Sequence, residues 1–514
     1  MTAVQSIRPA TITVGNPADG TTVGQVPIAG PEVVADKARR LRAAQPEWEA
    51  LGPDGRKRWL LAFQDWVLDH SEQLIDVIQS ETGKSRADAS SEPTMVAGML
   101  DFWSRHAGRY LADDHPRSWN PIAATKHLTT VYRPYPVVGV ITPWNFPLMM
   151  PGYDGVAALA AGAAILIKPS EMTPLSAVEF ARGWSEVGAP PVLELATGYG
   201  ETGAAVIANS DFVQFTGSTA TGRKVAVACA ERLIPCSLEL GGKDPALVLS
   251  DADLERAANG IVWGGMLNAG QVCVSVERVY VEAPVYDEFV AKLTDKVKAL
   301  RQGQDDRGWR FDVGALATMA QRDIVTRHVD EAVASGARVV TGGKPSGTGT
   351  FFEPTVLVDV DHSMACMTQE TFGPTLPVMK VADEAEAVRL ANDSMYGLSA
   401  TVWSRDKERA ERVARQLDTG AVNINDVLAN GFASEIPMGG WKQSGIGARG
   451  GGAHGIRKYC RAQAITSARL PELATEPMWY PASRRRTGFA LGLLRAAASH
   501  GLRRVGISPK RADR

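Results

Sequence analysis

Three segments of this sequence carry side chains whose types suit chemistry at a carbonyl carbon. The first contains Cys273, which follows a glycine and a glutamine in NAGQVCVS. A glycine near a thiol favours a loop in which backbone N–H groups face a ligand, and a thiolate is a strong nucleophile that forms thioesters readily. Cysteines in apolar settings are more often inert core residues, and that interpretation is kept for the other four cysteines of the chain.

The second and third segments carry a carboxylate and an amide. Glu239 lies in SLELGGKDP, in an apolar run before two glycines that let the backbone turn tightly. Burial at an apolar strand end raises the pKa of a carboxyl group toward neutrality, as a general base requires. Asn145 lies in TPWNFP between two prolines, and its amide is suited to donate to an oxyanion. A structural carboxylate and a plain turn asparagine are the alternatives.

Two further segments are typical of a dinucleotide site. Lys168 and Glu171 lie in IKPSE, at the end of a predicted strand. The lysine can reach ribose or phosphate, and the glutamate can accept from ribose hydroxyls, which favours NAD over a 2′-phosphorylated cofactor. FTGSTATG places Ser218 and Thr219 at the start of a predicted helix, where pyrophosphate binds well. An exposed Lys/Glu turn and an ordinary capped helix are the structural alternatives.

QETFGP and GYGETG are weaker indications. In QETFGP, Glu370 and Phe372 could hold a nicotinamide ribose and ring, and the alternative is a loop glutamate with a core phenylalanine. GYGETG, residues 198–203, matches G-x-G-x-x-G between a strand and a helix. That pattern expects an acidic residue at a strand end ~20 residues further on, and none lies there. The segment is therefore interpreted as a tight turn near the cofactor.

These segments lie between alternating predicted strands and helices. Residues 31–110 show apolar positions at helical spacing. Further along, short apolar runs alternate with helical patterns, which predicts a parallel sheet with covering helices and ligands at the carboxyl ends of its strands. Strands are predicted at 163–170, 191–198 and 212–217, and helices at 176–188, 200–210 and 218–231. A second α/β block is predicted from residue 243 to residue 445.

Length and composition limit the class of protein. A chain of 514 residues exceeds the ~250–300 at which single cores stop growing, so at least two domains are expected. The net charge of −2 gives no sign of nucleic-acid binding. Five cysteines without CxxC spacing predict neither a disulfide framework nor a structural zinc site, so no metal is expected and a cytoplasmic location is favoured. No signal peptide or membrane span is predicted.

The C-terminal segment has a different composition. From residue 484 onward it contains nine basic residues and one acid, with apolar residues interspersed. One interpretation is an exposed basic end without a role. The other is that residues 484–507 form a basic amphipathic helix that lies on an anionic membrane surface.

The order and spacing of these motifs together resemble the aldehyde dehydrogenase superfamily, over roughly residues 10–470. The motifs are TPWNFP, IKPSE, FTGSTATG, LELGGKDP, GQVC, ETFGP and PMGGWKQSGIG. The implied fold is α/β, with an atypical Rossmann cofactor domain, an α/β catalytic domain and a β-arm for oligomerisation. The expected boundaries are 1–111 and 135–241 for the NAD-binding domain, 242–445 for the catalytic domain, 112–134 and 456–470 for the arm, and 471–514 for a basic extension.

The resemblance also implies a mechanism and partners. Cys273 attacks the aldehyde, Asn145 and the Cys273 backbone N–H stabilise the oxyanion, hydride passes to the nicotinamide, and Glu239 activates water to hydrolyse the thioester. The implied cofactor is NAD, with NADP as the alternative. The implied assembly is a homodimer or homotetramer whose arm pairs across subunits. The residues expected to contact the dinucleotide are Trp144, Lys168, Ser170, Glu171, Gly217, Ser218, Thr219, Gly222, Leu240, Glu370 and Phe372.

Three departures from the family pattern bear on the substrate and its regulation. Met438 stands where phenylalanine is usual. Ser275, two residues after the nucleophile, removes the cysteine pair that some semialdehyde members use as a redox switch. Met149, Met150 and Tyr153 lie where succinate-semialdehyde enzymes often carry an arginine, which favours an aliphatic or aromatic aldehyde. The overall pattern and the tail are nevertheless similar to bacterial succinate-semialdehyde dehydrogenases of the second type.

Three alternatives stay open. One is oxidation of succinate semialdehyde. Another is acylating oxidation, in which coenzyme A takes the acyl group; acylating members usually lack a glutamate equivalent to Glu239, so its presence counts against this activity. The third is a non-catalytic, membrane-associated relative, which the intact Cys273, Glu239 and Asn145 oppose.

Overall fold

The computed structural model describes residues 10–469, 471, 474–476 and 478–500. Within them the chain divides into two compact units. The first unit contains the residues up to Tyr110 together with Pro134–Tyr459, and the second contains Leu111–Arg133 together with the residues from Cys460 onward. No helix in these described ranges has the length and apolar character needed to cross a membrane.

The first unit begins with a two-stranded sheet and four helices, as the helical spacing of residues 31–110 predicts. The elements are β1 (Thr11–Gly15), β2 (Thr22–Pro27), α1 (Pro31–Ala50), α2 (Gly52–Asp69), α3 (Ser71–Thr82) and α4 (Arg86–Tyr110). Proline suits the first turn of α1 because its missing N–H would have no partner there. Gly83 ends α3 in the left-handed conformation that glycine adopts without strain.

A parallel sheet follows. After β3 (Lys126–Pro134), which lies in the second unit except for Pro134, the elements are β4 (Val137–Ile141), α5 (Met149–Ala161), β5 (Ala164–Lys168), α6 (Leu175–Glu186), β6 (Leu193–Leu195), α7 (Gly200–Asn209), β7 (Phe212–Thr216), α8 (Thr219–Glu231) and β8 (Cys236–Glu239). The strands pair in the order β8–β7–β4–β5–β6, all parallel. This confirms the predicted α/β architecture, although β6 is shorter than the predicted strand at 191–198.

The parallel arrangement brings the candidate residues together. Because the strands run in one direction, their carboxyl ends meet at one edge of the sheet. The TPWNFP loop follows β4, Lys168 ends β5, Ser218 follows β7 and Glu239 ends β8. Four segments that are distant in the chain therefore approach one another at this edge.

The second α/β block builds another sheet. Its elements are β9 (Asp244–Val248), α9 (Leu254–Met266), β10 (Val276–Glu282), α10 (Tyr286–Lys298), α11 (Met319–Ala334), β11 (Arg338–Thr341), β12 (Thr355–Val358), α12 (Ala365–Thr368), β13 (Thr375–Val381), α13 (Glu384–Asn392), β14 (Tyr396–Gly397), β15 (Ser399–Trp403), α14 (Lys407–Ala414) and β16 (Ala421–Ile424). The sheet order is β11–β12–β13–β10–β9–β15–β16, and only β11 is antiparallel to its neighbour among these described strands. The change of sheet after β8 supports the proposed domain boundary at 241/242.

The last part of the first unit returns to the first sheet. Its elements are α15 (Ala429–Phe432), β17 (Pro437–Met438), β18 (Trp441–Lys442), β19 (Gly445–Ile446), β20 (Arg449–Gly450) and α16 (Ala453–Arg457). β19 pairs antiparallel with β8, with Gly445 opposite Glu239. A side chain on Gly445 would overlap the Leu238 carbonyl oxygen, so glycine is required there. Nothing in the sequence indicated this return beside Glu239.

Within the part of the chain that the structure describes, the second unit contains a two-stranded sheet, a short 3-10 helix at Ala123–Thr125 and one α-helix. β21 (Cys460–Ala468) pairs with β3 within the same chain. α17 (Arg484–Ala498) begins at Ser483, whose side chain accepts from the Arg486 N–H. The predicted helix over 484–507 is thus present as far as residue 498, and residues 501–507 lie outside the described residues. Pairing of the arm across subunits stays a prediction.

Candidate active site

A cavity of about 410 Å³ lies in the first unit. The loop after β4, the end of β8 and the turn before β10 contribute to its wall. These segments bring Asn145, Glu239 and Cys273 to the same cavity. A thiol, a carboxylate and an amide donor therefore surround one space, as acyl transfer through a thioester requires.

Cys273 follows a turn with a strained backbone. Asn268, Ala269 and Gly270 have φ angles of 53°, 55° and 74°, so three successive residues lie in the left-handed region. Each non-glycine residue in such a conformation costs about 1–3 kcal/mol. At Gly270 a side chain would overlap a neighbouring carbonyl oxygen. Tertiary contacts hold the turn, because the Asn268 N–H donates to Asp88 Oδ2 at 3.1 Å.

The environment of Cys273 disfavours a charged sulfur. Partial burial raises the pKa of this thiol to about 12, and the nearby Arg449 guanidinium opposes the shift. The thiol is therefore protonated at neutral pH in the free protein. Formation of the nucleophilic thiolate needs a base in the cavity.

Asn145 is held by hydrogen bonds on both sides. Its Nδ2 donates to the Gln271 carbonyl oxygen at 2.9 Å. Its backbone carbonyl oxygen accepts from Asn268 Nδ2 at 3.0 Å and from Lys84 Nζ at 2.8 Å. The second N–H of the Asn145 amide has no acceptor among the residues that the structure describes, so it can donate to a ligand oxygen.

Sequence reasoning missed the ion pair that supports this loop. Lys84 and Glu92 are both buried and lie 2.8 Å apart. Glu92 Oε2 also accepts from the Leu148 N–H at 3.0 Å and the Met149 N–H at 2.9 Å, at the start of α5. The pair thus connects α4 to the TPWNFP loop and α5. No local motif around Lys84 signals it, because the partners meet only after the helices pack.

Glu239 is 2% exposed at the end of β8. Burial raises the pKa of its carboxyl group to about 7; Arg449 and Lys458 lower this pKa, and Asp154 raises it. Glu239 Oε1 has no hydrogen-bond partner among the described residues. A carboxyl group that titrates near neutrality with an unpaired oxygen can take a proton from a thiol or a water molecule.

Arg449 is a cavity residue that sequence reasoning did not identify. It is 3% exposed, and its Nε and Nη2 donate to Asp154 Oδ1 at 2.7 Å and Oδ2 at 2.9 Å. Nη2 also donates to Thr216 Oγ1, and Thr216 pairs with Glu239 across β7 and β8. Arg449 and Asp154 are 295 residues apart in the chain, which explains why no sequence pattern revealed the contact.

Several predicted dinucleotide contacts line the cavity. They are Trp144, Gly217, Ser218, Leu240, Glu370 and Phe372. The Trp144 and Phe372 rings meet edge to face with centroids 5.4 Å apart. Glu370 Oε1 accepts from the Gly242 N–H at 3.0 Å, and burial raises the pKa of the Glu370 carboxyl to about 8.

The other predicted contacts lie beside the cavity rather than in its wall. They are Lys168, Ser170, Glu171, Thr219 and Gly222. Lys168 Nζ donates to the Pro169 carbonyl oxygen at 2.9 Å and to Glu171 at 3.4 Å. Ser170 is buried next to them, and its Oγ accepts from the Met172 N–H at 3.3 Å.

The start of α8 has the geometry of a phosphate site. Ser218 Oγ accepts from the Thr221 N–H at 3.3 Å, and Thr219 is the first helical residue. A side chain on Gly222 would overlap Leu240, so glycine allows this helix to pack closely. A helix N-terminus at the carboxyl edge of a parallel sheet fits the pyrophosphate of a dinucleotide.

The remaining wall of the cavity is mostly apolar, with Ser91, Thr216 and Gln321 as its polar members. Its larger side chains are Met95, Phe146, Met149, Met150, Tyr153, Trp263, Leu267, Phe432 and Met438. The Tyr153 hydroxyl donates to the Gly431 carbonyl oxygen at 2.7 Å, which orients its ring. Trp263 and Phe432, both large and partly exposed, were not expected from the sequence. Arg449 is the one cation among the described residues that line the cavity.

Comparison with known proteins places these features in a family. A model of the aldehyde dehydrogenase family matches residues 4–465. The chain is 40% identical over 479 residues to a 4,4'-diapolycopene aldehyde oxidase of Methylomonas sp, covering 92% of this chain and 88% of that protein. It is 39% identical over 459 residues to a Mycolicibacterium smegmatis protein named "Putative succinate-semialdehyde dehydrogenase [NADP(+)]", covering 88% of each.

Solved structures agree with this match. Lactaldehyde dehydrogenase from Escherichia coli superposes with a TM-score of 0.86 at 34% identity, covering 90% of this chain and 97% of that one. Betaine aldehyde dehydrogenase from Staphylococcus aureus, in complex with NAD+, superposes with a TM-score of 0.84 at 32% identity, covering 90% and 93%. The matches extend over most of the chain and confirm the resemblance seen in the motifs: the protein belongs to the aldehyde dehydrogenase family.

Proposed function

We propose that this protein oxidises an apolar aldehyde to the carboxylic acid, with NAD(P)+ as hydride acceptor and with Cys273 and Glu239 as nucleophile and base. One observation carries the proposal. The thiol, the carboxylate and the Asn145 amide line a single apolar cavity, beside the residues expected to hold a dinucleotide.

Acylation starts with transfer of the Cys273 proton to the Glu239 carboxylate, the neighbouring base that titrates near neutrality. The sulfur bonds to the carbonyl carbon, and the carbonyl π electrons move to the oxygen. The free N–H of Asn145 and the Cys273 backbone N–H donate to this oxyanion. When bound, NAD(P)+ supplies the acceptor for the hydride that leaves the same carbon, and a thioester remains.

Deacylation uses Glu239 again, after it has released its proton. The carboxylate takes a proton from water while the water oxygen bonds to the thioester carbon. The carbon–sulfur bond then breaks, the thiolate leaves and the carboxylic acid is released. Because the pKa of Glu239 lies at about 7, its active ionised form dominates above that pH and is lost as the pH falls through it.

The residues at the ends of β5 and β7 would bind the dinucleotide. The N–H groups at the start of α8, with Ser218 and Thr219, suit the pyrophosphate. Lys168 and Glu171 suit the adenine ribose, and the Glu171 carboxylate would repel a 2′-phosphate, which favours NAD. The S. aureus relative was solved with NAD+, whereas the M. smegmatis relative is named for NADP+.

The apolar wall supports an aliphatic or aromatic aldehyde. A carboxylated aldehyde would need a cationic partner in the cavity, since an unpaired buried carboxylate is costly. The cavity cation, Arg449, already pairs with Asp154 through two hydrogen bonds. This arrangement favours the apolar class over succinate semialdehyde, and the presence of Glu239 favours hydrolysis over transfer to coenzyme A.

The second unit suggests how the protein assembles. We propose a cytoplasmic homodimer or homotetramer in which the sheet of β3 and β21 extends across subunits. Most side chains of β21 are exposed, and an exposed strand edge can pair with another chain. The five cysteines are unpaired, as in a reducing compartment. Sedimentation velocity of the full chain would give the subunit number, and a monomer would contradict this assembly.

We further propose that α17 contacts an anionic membrane surface. The helix carries four arginines and no acid. They are Arg484, Arg485, Arg486 and Arg495. Phe489 and Leu493 are one helical turn apart and are 67% and 41% exposed, and the aromatic residues Trp479 and Tyr480 before the helix are also exposed. Basic residues beside exposed apolar ones are typical of helices that lie at a membrane interface.

Cys273→Ala should reduce aldehyde oxidation by roughly 10³-fold or more, because Cys273 is the one thiol among the described residues that line the cavity. Binding of NAD+, measured by isothermal titration calorimetry, should remain unchanged. Cys229→Ala, at the far end of α8, is the matched control and should keep its activity. Full turnover by Cys273→Ala would reject the nucleophile assignment.

Glu239→Gln should slow thioester hydrolysis by about 10²–10⁴-fold, because the amide cannot take a proton from water. Rapid mixing should show a slowed first turnover of NADH, because Glu239 also takes the proton of Cys273, followed by a still slower steady state. Intact-protein mass should show the acyl adduct on Cys273. Glu201→Gln on the exposed face of α7 is the control. A burst and a steady state equal to those of the wild type would contradict the role of Glu239.

Hexanal, decanal and benzaldehyde should show kcat/KM values at least about tenfold above that of succinate semialdehyde, which corresponds to about 1.4 kcal/mol for leaving a carboxylate unpaired in the cavity. Steady-state rates with NAD+ and with NADP+ would measure both the substrate class and the cofactor preference. Preference for succinate semialdehyde would overturn the apolar assignment. A product that forms only with added coenzyme A would establish the acylating alternative.

Vesicles containing phosphatidylglycerol should sediment with the full-length protein, whereas pure phosphatidylcholine vesicles should not. Replacing Arg484, Arg485 and Arg486 by glutamine should weaken vesicle binding roughly 100-fold, at about 1 kcal/mol per arginine near the surface. The control replaces the exposed Arg39, Arg58 and Arg105 and changes the net charge equally. Absence of wild-type protein from the vesicle pellet would reject the membrane contact.

A further inference from the structure

The ion pair between Arg449 and Asp154 stands at the wall of the cavity that holds the thiol and the carboxylate. Two hydrogen bonds fix the guanidinium on Asp154, a fully buried residue of α5. Removing two charges from water costs roughly several kcal/mol per ion, which their mutual attraction does little more than repay. The pair therefore contributes little to the stability of the fold. An electrostatic effect on the groups that line the cavity explains its position better.

The neighbouring strand ties the guanidinium to the position opposite Glu239. Arg449 Nη2 donates to Thr216 Oγ1, and Thr216 is the register partner of Glu239 in the β7–β8 pairing. Arg449 Nη1 makes no hydrogen bond to any residue that the structure describes, although the side chain lines the cavity. The guanidinium, paired with Asp154 and fixed by Thr216, therefore acts on Glu239 and Cys273 through space rather than by a hydrogen bond to them.

No other described group near Glu239 combines a positive charge with a position in the wall of the cavity, as Arg449 does. Lys458, the second cation, donates to three neutral oxygen atoms and is not among the described residues that line the cavity. Asp154 acts in the opposite sense, since it raises the pKa of Glu239 while Arg449 lowers it. The titratable and charged groups that act on Glu239, or on which it acts, are Tyr153, Asp154, Cys273, Arg449, Lys458 and Tyr459.

We infer that Arg449 is a positioning residue whose guanidinium, held by Asp154 and Thr216, stabilises the thiolate of Cys273 during acylation and the carboxylate of Glu239 during deacylation. The inference rests on the proposed roles of those two residues. The inference predicts the direction in which the pKa of Glu239 changes when either partner is neutralised. With Arg449 neutral, Asp154 is left as an uncompensated anion near Glu239, and the pKa of Glu239 rises. With Asp154 neutral, the cation acts alone and the pKa of Glu239 falls.

The test compares Arg449→Gln, Asp154→Asn and the double variant in the full-length protein. Single-turnover hydrolysis of the thioester is measured against pH, because its acid limb reports the ionisation of Glu239. Arg449→Gln should move this limb upward by about one pH unit, Asp154→Asn should move it downward, and the double variant should lie between them. A purely structural pair would instead lower the rate in both variants without opposite shifts.

Arg449→Lys is the conservative variant. It keeps a cation but loses the fork that holds Asp154, and its acid limb should return toward the wild-type position. Near-ultraviolet circular dichroism checks the packing of every variant. If Arg449→Gln does not fold, the downward shift in Asp154→Asn and the position of Arg449→Lys still decide the outcome.

A second measurement does not depend on aldehyde turnover. Iodoacetamide alkylates thiolates, and peptide mass distinguishes the adduct on Cys273 from that on the partly exposed Cys236. At a fixed pH below the thiol pKa, Cys273 of Arg449→Gln should react about tenfold more slowly than that of the wild type. If the wild type oxidises no aldehyde, the proposed function fails, and alkylation still tests Arg449. Unchanged alkylation together with unshifted acid limbs in the single variants would overturn the inference, even if both variants lose turnover.

Discussion

Burial of the groups around the cavity controls the chemistry that they can perform. Burial raises the pKa of both Cys273 and Glu239, so the two groups that the proposed mechanism requires to ionise lie where charge is least stable. Low polarity also strengthens the attraction between the charges that remain. One fixed guanidinium can therefore act on both groups, and Arg449 opposes the pKa shift of each. In the proposed mechanism, ionisation of Cys273 and Glu239 therefore depends on the charge of the buried Arg449.

Two buried ion pairs near the cavity hold the proposed reacting groups and the cation beside them in place. Lys84–Glu92 and Asp154–Arg449 are each 3% exposed or less, and such pairs contribute little net stability. Both pairs meet at α5: Glu92 accepts from the N–H groups at its start, and Asp154 projects from its second turn. One helix thus connects the loop that holds Asn145 with the cation near Glu239. Packing of α5 against α4 keeps these groups at fixed positions relative to one another.

Overall similarity does not select the substrate of this protein. Two relatives of nearly equal identity are named "4,4'-diapolycopene aldehyde oxidase" and "Putative succinate-semialdehyde dehydrogenase [NADP(+)]". The side chains of the cavity distinguish better between apolar and carboxylated aldehydes. Methionine and aromatic residues form most of its wall, and its arginine is already paired with Asp154. An apolar aldehyde would also partition into lipid, and a basic helix with exposed Phe489 and Leu493 would then bring the protein to its substrate.

The sequence alone determined the fold class, the order of the elements and the chemistry-bearing segments. Those features depend on local periodicity and on short motifs, such as FTGSTATG before α8 or LELGG at the end of β8, which residues adjacent in the chain specify. The predicted strands and helices of the first sheet match the structure closely for this reason.

Only the tertiary structure decided what surrounds those segments. Arg449 meets Asp154 across 295 residues, and Gly445 returns to pair beside Glu239. Lys84 reaches the Asn145 loop only because α4 packs against α5. Each of these contacts joins residues whose neighbours in the chain show no matching pattern, since a buried charge is compensated by whatever the fold brings near it. Local sequence therefore specified the reacting groups, and packing specified the electrostatic setting in which they react.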